Sequence, residues 1–481
     1  MPEFEPGFRS LDEELAGHDL PIEGAFPAWL SGQYVRNGPG AFEIGGERVA
    51  HWFDGLAMLT AFSFGDGVRY TNRFLRTRSY RDALAGESAG GAFAESSAGL
   101  LGRLRALLAG EPTDNANANV IRLGGRLAAI TESPVAVAVN PATLATEGIL
   151  EHDDEAGAQH TTAHPLYDAS RGEHVGYGER FGLDHQYEIY RIPDGGTERE
   201  VVGTVPVDEP AYMHSFALTE RYAVLTENPF TANPLRFLHP DRSFVDAYEW
   251  HLESVTRFIV LDRTTGAVVA EPRVPAFFTF HHANAFERER TEAGAEGDSD
   301  GGNEIVVDLV AYDDADVLDG LYLDDIGSST PDASTGELRR YCLPLDGGRV
   351  TGRTLADVSI EFPQVSPAVA TAMEPHRYVY GQGDTDADRN ANELVKVDTE
   401  AGDVQTWAER GVYAGEPTFV PAPDTASEDD GLVLSILLDI NAEQSALLAL
   451  DGRSFEERAR AIVPHSIPFG FHGRYFGEFE S

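Results

Sequence analysis

A strand–turn–strand unit recurs seven times along this chain, and that repetition constrains the fold more than any other feature. In each copy an alternating apolar run ends at an Asp or Asn in a turn, and a second strand follows. The copies are AFSFGDGVRY at Asp66, VAVAVNPATL at Asn140, YEIYRIPDGG at Asp194, FIVLDRTTG at Asp262, YCLPLDGGRV at Asp346, LVKVDTEAGD at Asp398 and LLALDGRSF at Asp451. Alternation with a period of two marks half-buried strands, and Asp, Asn and Gly are residues that make tight turns. Successive turn residues lie 74, 54, 68, 84, 52 and 53 positions apart. Hairpins repeated at about fifty residues indicate propeller blades or a related β array. Seven units predict an all-β chain folded as a seven-bladed β-propeller. The alternative, a β-sandwich with incidental turns, would be oversized at 481 residues.

The longer intervals carry insertions. Residues 80–117 include a leucine-rich segment from Ala98 to Gly110 with helical spacing. Residues 287–303 and 421–431 read as acidic, solvated loops. None of these has the character of an interdomain linker, so the expectation is one domain over 1–481. A 42% hydrophobic chain can bury a large core. Acids outnumber bases 80 to 36, for a formal charge of −44, which repels phosphate and argues against nucleic-acid binding. Lysine occurs once, at Lys396. An evenly acidic, lysine-poor chain suits a high-salt cytoplasm, such as that of a halophilic archaeon, where screening tolerates self-repulsion. No apolar run reaches the ~18 residues of a membrane span, and the first thirty residues lack a basic signal-peptide start, so the expected location is cytoplasmic. A lone cysteine, Cys342, excludes an internal disulfide and a cysteine-based zinc cluster.

Of fifteen histidines, four sit where the sequence turns apolar or meets Pro or Gly: His164 in TTAHPLYD, His214 in YMHSFAL, His281 in FFTFHHANAFE and His472 in FGFHGRYF. Three glutamates occupy similar settings: Glu132, Glu361 and Glu416. A buried carboxylate needs a partner, and a metal-binding imidazole needs an acceptor on its other nitrogen. Assigning each candidate to the turn that follows it puts one in each blade, with His472 closing the ring beside Asp66. Glu132 lies only eight residues before Asn140, so its strand can differ from the others. Inner strands of a propeller converge on the axis, where these seven side chains could meet. Four neutral imidazoles suit a divalent iron, copper, nickel or zinc ion.

These motifs resemble the carotenoid cleavage oxygenase family. LPIEGAFPAWLSGQYVRNGPG at 20–40 is similar to that family's N-terminal signature, and HWFDGLAML at 51–59 to its His-x-Phe-Asp-Gly block. The four histidine segments are similar to the family's four histidine blocks, in order. The resemblance implies a propeller capped on one face by loops and short helices. It implies one nonhaem Fe(2+) on the axis, held by His164, His214, His281 and His472, with Glu132, Glu361 and Glu416 in the layer behind. FHHAN matches with His281, not His282, as the ligand. The implied reaction is oxidative cleavage of a conjugated C=C bond by O2 through a dioxetane-like intermediate. The products would be two carbonyl compounds, apocarotenals with retinal among the candidates.

An apolar tunnel would hold the lipophilic polyene and select the bond, with Phe74, Thr131 and Phe280 as candidate lining. Relatives that cleave stilbenes hold a phenol with Tyr and Lys where this chain matches Phe74 and Thr131, which suits a polyene better. The block usually continues Asp-Gly-Met after Phe-Asp-Gly; here Leu56 and Ala57 stand in place of that second Asp-Gly, an expected change in a loop near the cap. Residues 98–109 lie where relatives carry a membrane-dipping patch, implying a weak, hydrophobic, peripheral membrane contact. A stilbenoid-cleaving dioxygenase, an isomerohydrolase acting on a retinyl ester and a metal-free binding propeller are the alternatives.

Overall fold

The computed structural model describes residues 3–86, 112–152, 156–181, 184–233, 236, 243–290, 303–326, 335–384, 392–425 and 427–477. The leucine-rich segment and the 98–109 patch fall outside these residues. Seven antiparallel sheets of four to six strands follow one another around a ring, a seven-bladed β-propeller. The second blade shows the plainest pattern: Asn119–Leu123, Arg126–Ile130, Ala136–Val139 and Thr146–Leu150 pair in sequence order. The fifth (His282–Glu289 to Thr351–Ser359) and sixth (Glu361–Gln364 to Val404–Ala408) repeat it.

The seven turns of the sequence repeat all occupy one place, the connection between the third and fourth strands of a blade. At four of the seven the Asx side chain caps the turn. Asp262 Oδ1 accepts the backbone N–H groups of Thr264 and Thr265 at 2.9 and 2.8 Å, and Asp398, Asp451 and Asn140 repeat the arrangement.

Both chain ends complete blades they do not belong to in sequence. Gly473–Phe476 forms the first strand of the first blade, beside Gly32–Ala41, Leu56–Phe64 and Val68–Phe74. Ile22–Gly24 forms the last strand of the seventh blade, beside Glu457–Ile462. The core lies between blades. Tyr34, Phe62 and Tyr70 of the first blade pack on Leu432, Leu434, Leu447 and Ala461 of the seventh. Val120, Leu127, Val137 and Val139 of the second pack on Val35, Leu59 and Ala61 of the first.

Three expectations change. Leu56 and Ala57 do not reshape a loop: they begin the strand Leu56–Phe64 and are buried. The 287–303 segment is not wholly loop, since Glu287–Glu289 end one strand and Asn303 starts the next. The 421–431 segment is not simply solvated acid either. Asp429 is buried there and accepts the ammonium of Lys396 at 2.8 Å. The chain's one lysine is therefore an internal cation; its Nζ also donates to the Gly452 carbonyl at 2.8 Å.

Candidate metal centre

The first strands of the third and seventh blades are each broken into two short pieces, and the breaks deliver polar side chains. His164 lies between His160–Thr161 and Leu166–Asp168, and Glu416 between Val412–Ala414 and Thr418–Pro421. Pro165 and Pro417 follow them directly. A proline lacks the N–H that a continuing ladder needs, so the strand stops and the preceding side chain is released from the pleat. Glu361 begins Glu361–Gln364, where the register slips between its two ends, across Phe362 and Pro363. His281 and His472 each immediately precede a first strand, and His214 lies three residues before Ala217–Leu218. Glu132 departs from this arrangement. It sits in the connection between the second and third strands of its blade, while that blade's first strand presents Asn119.

The structure brings His164, His214, His281 and His472 together, with one ring nitrogen of each within 4.8 Å of all the others. The His164 and His214 Nε2 atoms are 2.9 Å apart, and those of His281 and His472 are 3.3 Å apart. Imidazole nitrogens bound at right angles to one metal at about 2.1 Å would be separated by about 3 Å.

Three of the rings are oriented from behind. His214 Nδ1 donates to Glu132 at 2.6 Å, His281 Nδ1 to Glu361 at 2.8 Å and His472 Nδ1 to Glu416 at 2.8 Å. Burial would raise each carboxyl, but the facing histidines hold all three below the usual range, Glu132 at about 2. Burial pushes the imidazoles the other way: His164 and His214 are lowered, and His472 lies at about 4. An ionised carboxylate only accepts, so each Nδ1 carries the proton and each Nε2 presents a lone pair inward. Lone pairs this close repel unless a cation lies among them. The donor set therefore fits a divalent metal ion with neutral nitrogen ligands. Among the described residues His164 has no carboxylate behind it, as three glutamates for four histidines require.

The neighbouring residue of each motif takes a different role. His282 is tied by the Ser215 and Thr226 hydroxyls at 2.8 and 2.7 Å. Phe280 packs with its ring 5.7 Å from His214 and 6.1 Å from His281. Thr131 Oγ1 lies 3.4 Å from Asn117 Oδ1, beside Glu132. Phe74 packs with Leu11, Leu56, Met58 and Ala83, and its ring faces Tyr80. It shares no ring contact with the four histidines among the described residues.

Several residues of the site carried no signal that sequence reasoning used. The Tyr212 hydroxyl donates to Glu132 at 3.1 Å, the Tyr312 hydroxyl to Glu361 at 3.0 Å and Gln364 to Glu416 at 2.9 Å. His160 lies 3.5 Å from Glu132, the carboxylate behind His214, and 3.7 Å from the buried Glu179. The Phe362 ring is 5.1 Å from both the His281 and His472 rings. Its φ of 50° is left-handed, in a phenylalanine that precedes a proline. Such a conformation costs on the order of 1–3 kcal/mol and is held by its surroundings. Here the Phe362 N–H donates to Glu361. The Phe-Pro pair after Glu361 is the trace it leaves in the sequence.

Comparison with known proteins places these observations among relatives. The retinal pigment epithelial membrane protein family matches residues 8–477. Carotenoid cleavage dioxygenase 8 of Arabidopsis thaliana is 33% identical, over 96% of this chain and 84% of its own. The carotenoid isomerooxygenase of Galleria mellonella is 31% identical, over 97% and 95%. Among solved structures, a cobalt-substituted apocarotenoid oxygenase of Synechocystis superposes with a TM-score of 0.85 at 27% identity, covering 99% of this chain and 98% of that one.

Proposed function

Because this chain belongs to the retinal pigment epithelial membrane protein family, the carotenoid oxygenases, we propose that it is an iron-dependent dioxygenase cleaving a C=C bond of a carotenoid or apocarotenoid. His164, His214, His281 and His472 would hold one Fe(2+), with O2 as co-substrate and two carbonyl compounds as products. The observation that carries the metal is the inward convergence of Nε2 lone pairs, fixed by Nδ1–H bonds to Glu132, Glu361 and Glu416. When bound, the iron supplies the redox chemistry that brings O2 to a closed-shell alkene.

The remaining work falls to the chain. Neutral imidazoles leave the ion's +2 charge uncompensated by its ligands, while the three carboxylates behind them fix each ring's tautomer and angle. Phe280 and Phe362 line the histidine rings with apolar surface, which suits a polyene and excludes water. No group needs to transfer a proton, and positioning of one double bond decides the product. Tyr212 and Tyr312 keep Glu132 and Glu361 from turning toward the centre in place of the histidines.

Metal analysis of protein purified in high salt tests this reading, followed by admission of air to an anaerobic mixture. β-Carotene, an apocarotenal and resveratrol are offered in parallel and the products read by mass spectrometry. About one iron per chain and O2-dependent aldehydes from a polyene are expected. Cleavage of resveratrol alone would move the protein to stilbenoids, and a folded chain that takes up no iron would overturn the metal centre.

A further inference from the structure

His472 reaches the centre differently from the other three histidines. It arrives on the last strand of the chain, which must dock between blades made of residues far earlier in the sequence. Its register relative to Glu416, in the seventh blade, is therefore not set by any short connection. The N-terminal segment VRNGPG runs along this junction. The Asn37 backbone bonds to two successive residues there, its N–H reaching the His472 carbonyl at 2.9 Å and its carbonyl accepting the Phe471 N–H at 2.9 Å. Asn37 Nδ2 ties the same point to the second blade through the Ala116 and Asn119 carbonyls, at 2.7 and 2.9 Å.

Arg36 faces the other way, on the side of the strand that carries Tyr34 against the seventh blade. It pairs across the sheet with Gly473, the residue after His472. Its side chain is only 5% exposed. Nη2 donates to the Gly470 carbonyl at 2.9 Å. The guanidinium is wedged between two glycines: a β-carbon on Gly470 would lie 2.9 Å from Nε, and one on Gly415 would collide with Nη1. Gly415 precedes Glu416, and Gly470 lies two residues before His472. Among the described residues Nε and Nη1 have no hydrogen-bond partner and no carboxylate pairs with this cation. A buried, half-satisfied guanidinium is costly and needs a compensating role.

We propose that Arg36 is the positioning residue for the His472–Glu416 pair, a planar cation wedged between the two backbones that carry them. Glu416 closes the arrangement, accepting His472 Nδ1–H on one oxygen at 2.8 Å and the Gly473 N–H on the other at 2.7 Å. The positive charge of Arg36 lies near enough to Glu416 to favour its carboxylate form against the cost of burial. The inference rests on the metal reading of the centre and assigns a device by which ring closure completes it.

The test is Co(II) titration of the metal-free full chain in high salt, reading affinity and the visible ligand-field spectrum, beside thermal unfolding. Arg36→Met is expected to lower Co(II) affinity by about tenfold or more, the usual loss when support behind a ligand is removed, and to change the spectrum. Arg36→Lys, which keeps the charge, is expected to recover most of that affinity. Arg263→Met serves as the control. Arg263 is as deeply buried, on Asp168 and Glu173, and its loss should lower the unfolding temperature and leave the spectrum unchanged. If Arg36→Met does not fold, Gly415→Ala displaces the guanidinium while keeping it, and the same loss of affinity is expected. Wild-type affinity and spectrum in Arg36→Met, or in Gly415→Ala, would overturn the inference. Wild-type protein that binds no Co(II) would instead overturn the metal centre on which it rests.

Discussion

His160 shows how much of the centre is decided one layer beyond the ligands. Burial alone would lower this imidazole, but Glu179 and Glu132 overcome it and raise it to about 10. Among the described residues neither Glu179 oxygen has a hydrogen-bond partner, His160 facing it as an ion pair at 3.7 Å, and burial pushes its own carboxyl upward. A folded-state value above the unfolded 6.5 means that the stabilisation is full below pH 6.5 and is lost as the pH rises through about 10. His160→Gln should therefore destabilise by about 3 kcal/mol at pH 6, since it strands buried carboxylates. The gap to wild type should close as the pH rises from 7 to 10, which chemical denaturation across that range would measure. A pH-independent gap would mean that His160 is not charged. The carboxylates behind the ligands have a separate test. Glu361→Gln leaves a neutral amide behind His281 and should weaken Co(II) binding about 10- to 100-fold, read by titration, with the Tyr312 contact still available to the amide oxygen. His164, with no carboxylate behind it, is the natural comparison. These layers were only partly legible in advance. Glutamates in apolar contexts could be chosen because burying a carboxylate demands a partner, whereas Tyr312 is one apolar-strand tyrosine among many until the fold brings it to Glu361.

At the level of strands and turns, the sequence spoke where the structure is regular. The second and third strands of most blades are six to ten residues long and apolar, and at four of the seven turns after the third strand an Asx oxygen caps two backbone N–H groups. The seven turns could therefore be counted and the blades with them. The first strands were illegible for the opposite reason. In the third and seventh blades they are interrupted at Pro165 and Pro417, and in the sixth the register slips between Glu361 and Gln364, so no period survives in those strands. That is why Glu132, which comes from a different connection, could be grouped with the inner-strand residues. The turn chemistry is testable at Asp451, whose Oδ1 accepts the Arg453 and Ser454 N–H groups at 3.1 and 3.0 Å. Asp451→Ala should lower stability by about 1 kcal/mol, seen as a lower denaturation midpoint with an unchanged slope. Asp451→Asn, which keeps the acceptor, should recover most of it.

For the molecule as a whole, shape and charge pull in opposite directions. The ring is closed at both ends by short strands, four residues at Gly473–Phe476 and three at Ile22–Gly24. Against this stands a net charge of −44 spread over the chain. The one lysine is spent internally on Asp429, leaving arginine, histidine and the N-terminus as the cations available to the surface. Many arginines already sit in ion pairs, such as Arg460 with Glu409 and Glu457, so they offset their partners and leave the excess acid unopposed. Self-repulsion of this kind favours expansion, and the closing strands are where the ring would part. Salt relieves it by shortening the Debye length from about 10 Å at 0.1 M to about 3 Å at 1 M. The unfolding temperature should therefore climb steeply with KCl below 1 M and flatten above it. Specific ion or hydration effects predict a different curve, because sulfate strengthens apolar burial at any concentration. Matched ionic strengths of KCl and K2SO4 separate the two. Coincident curves below 1 M would mean that screening of the acidic surface keeps the ring closed. A sulfate curve lying well above the chloride curve from the start would mean that the acidity is incidental to stability and that burial between blades limits it.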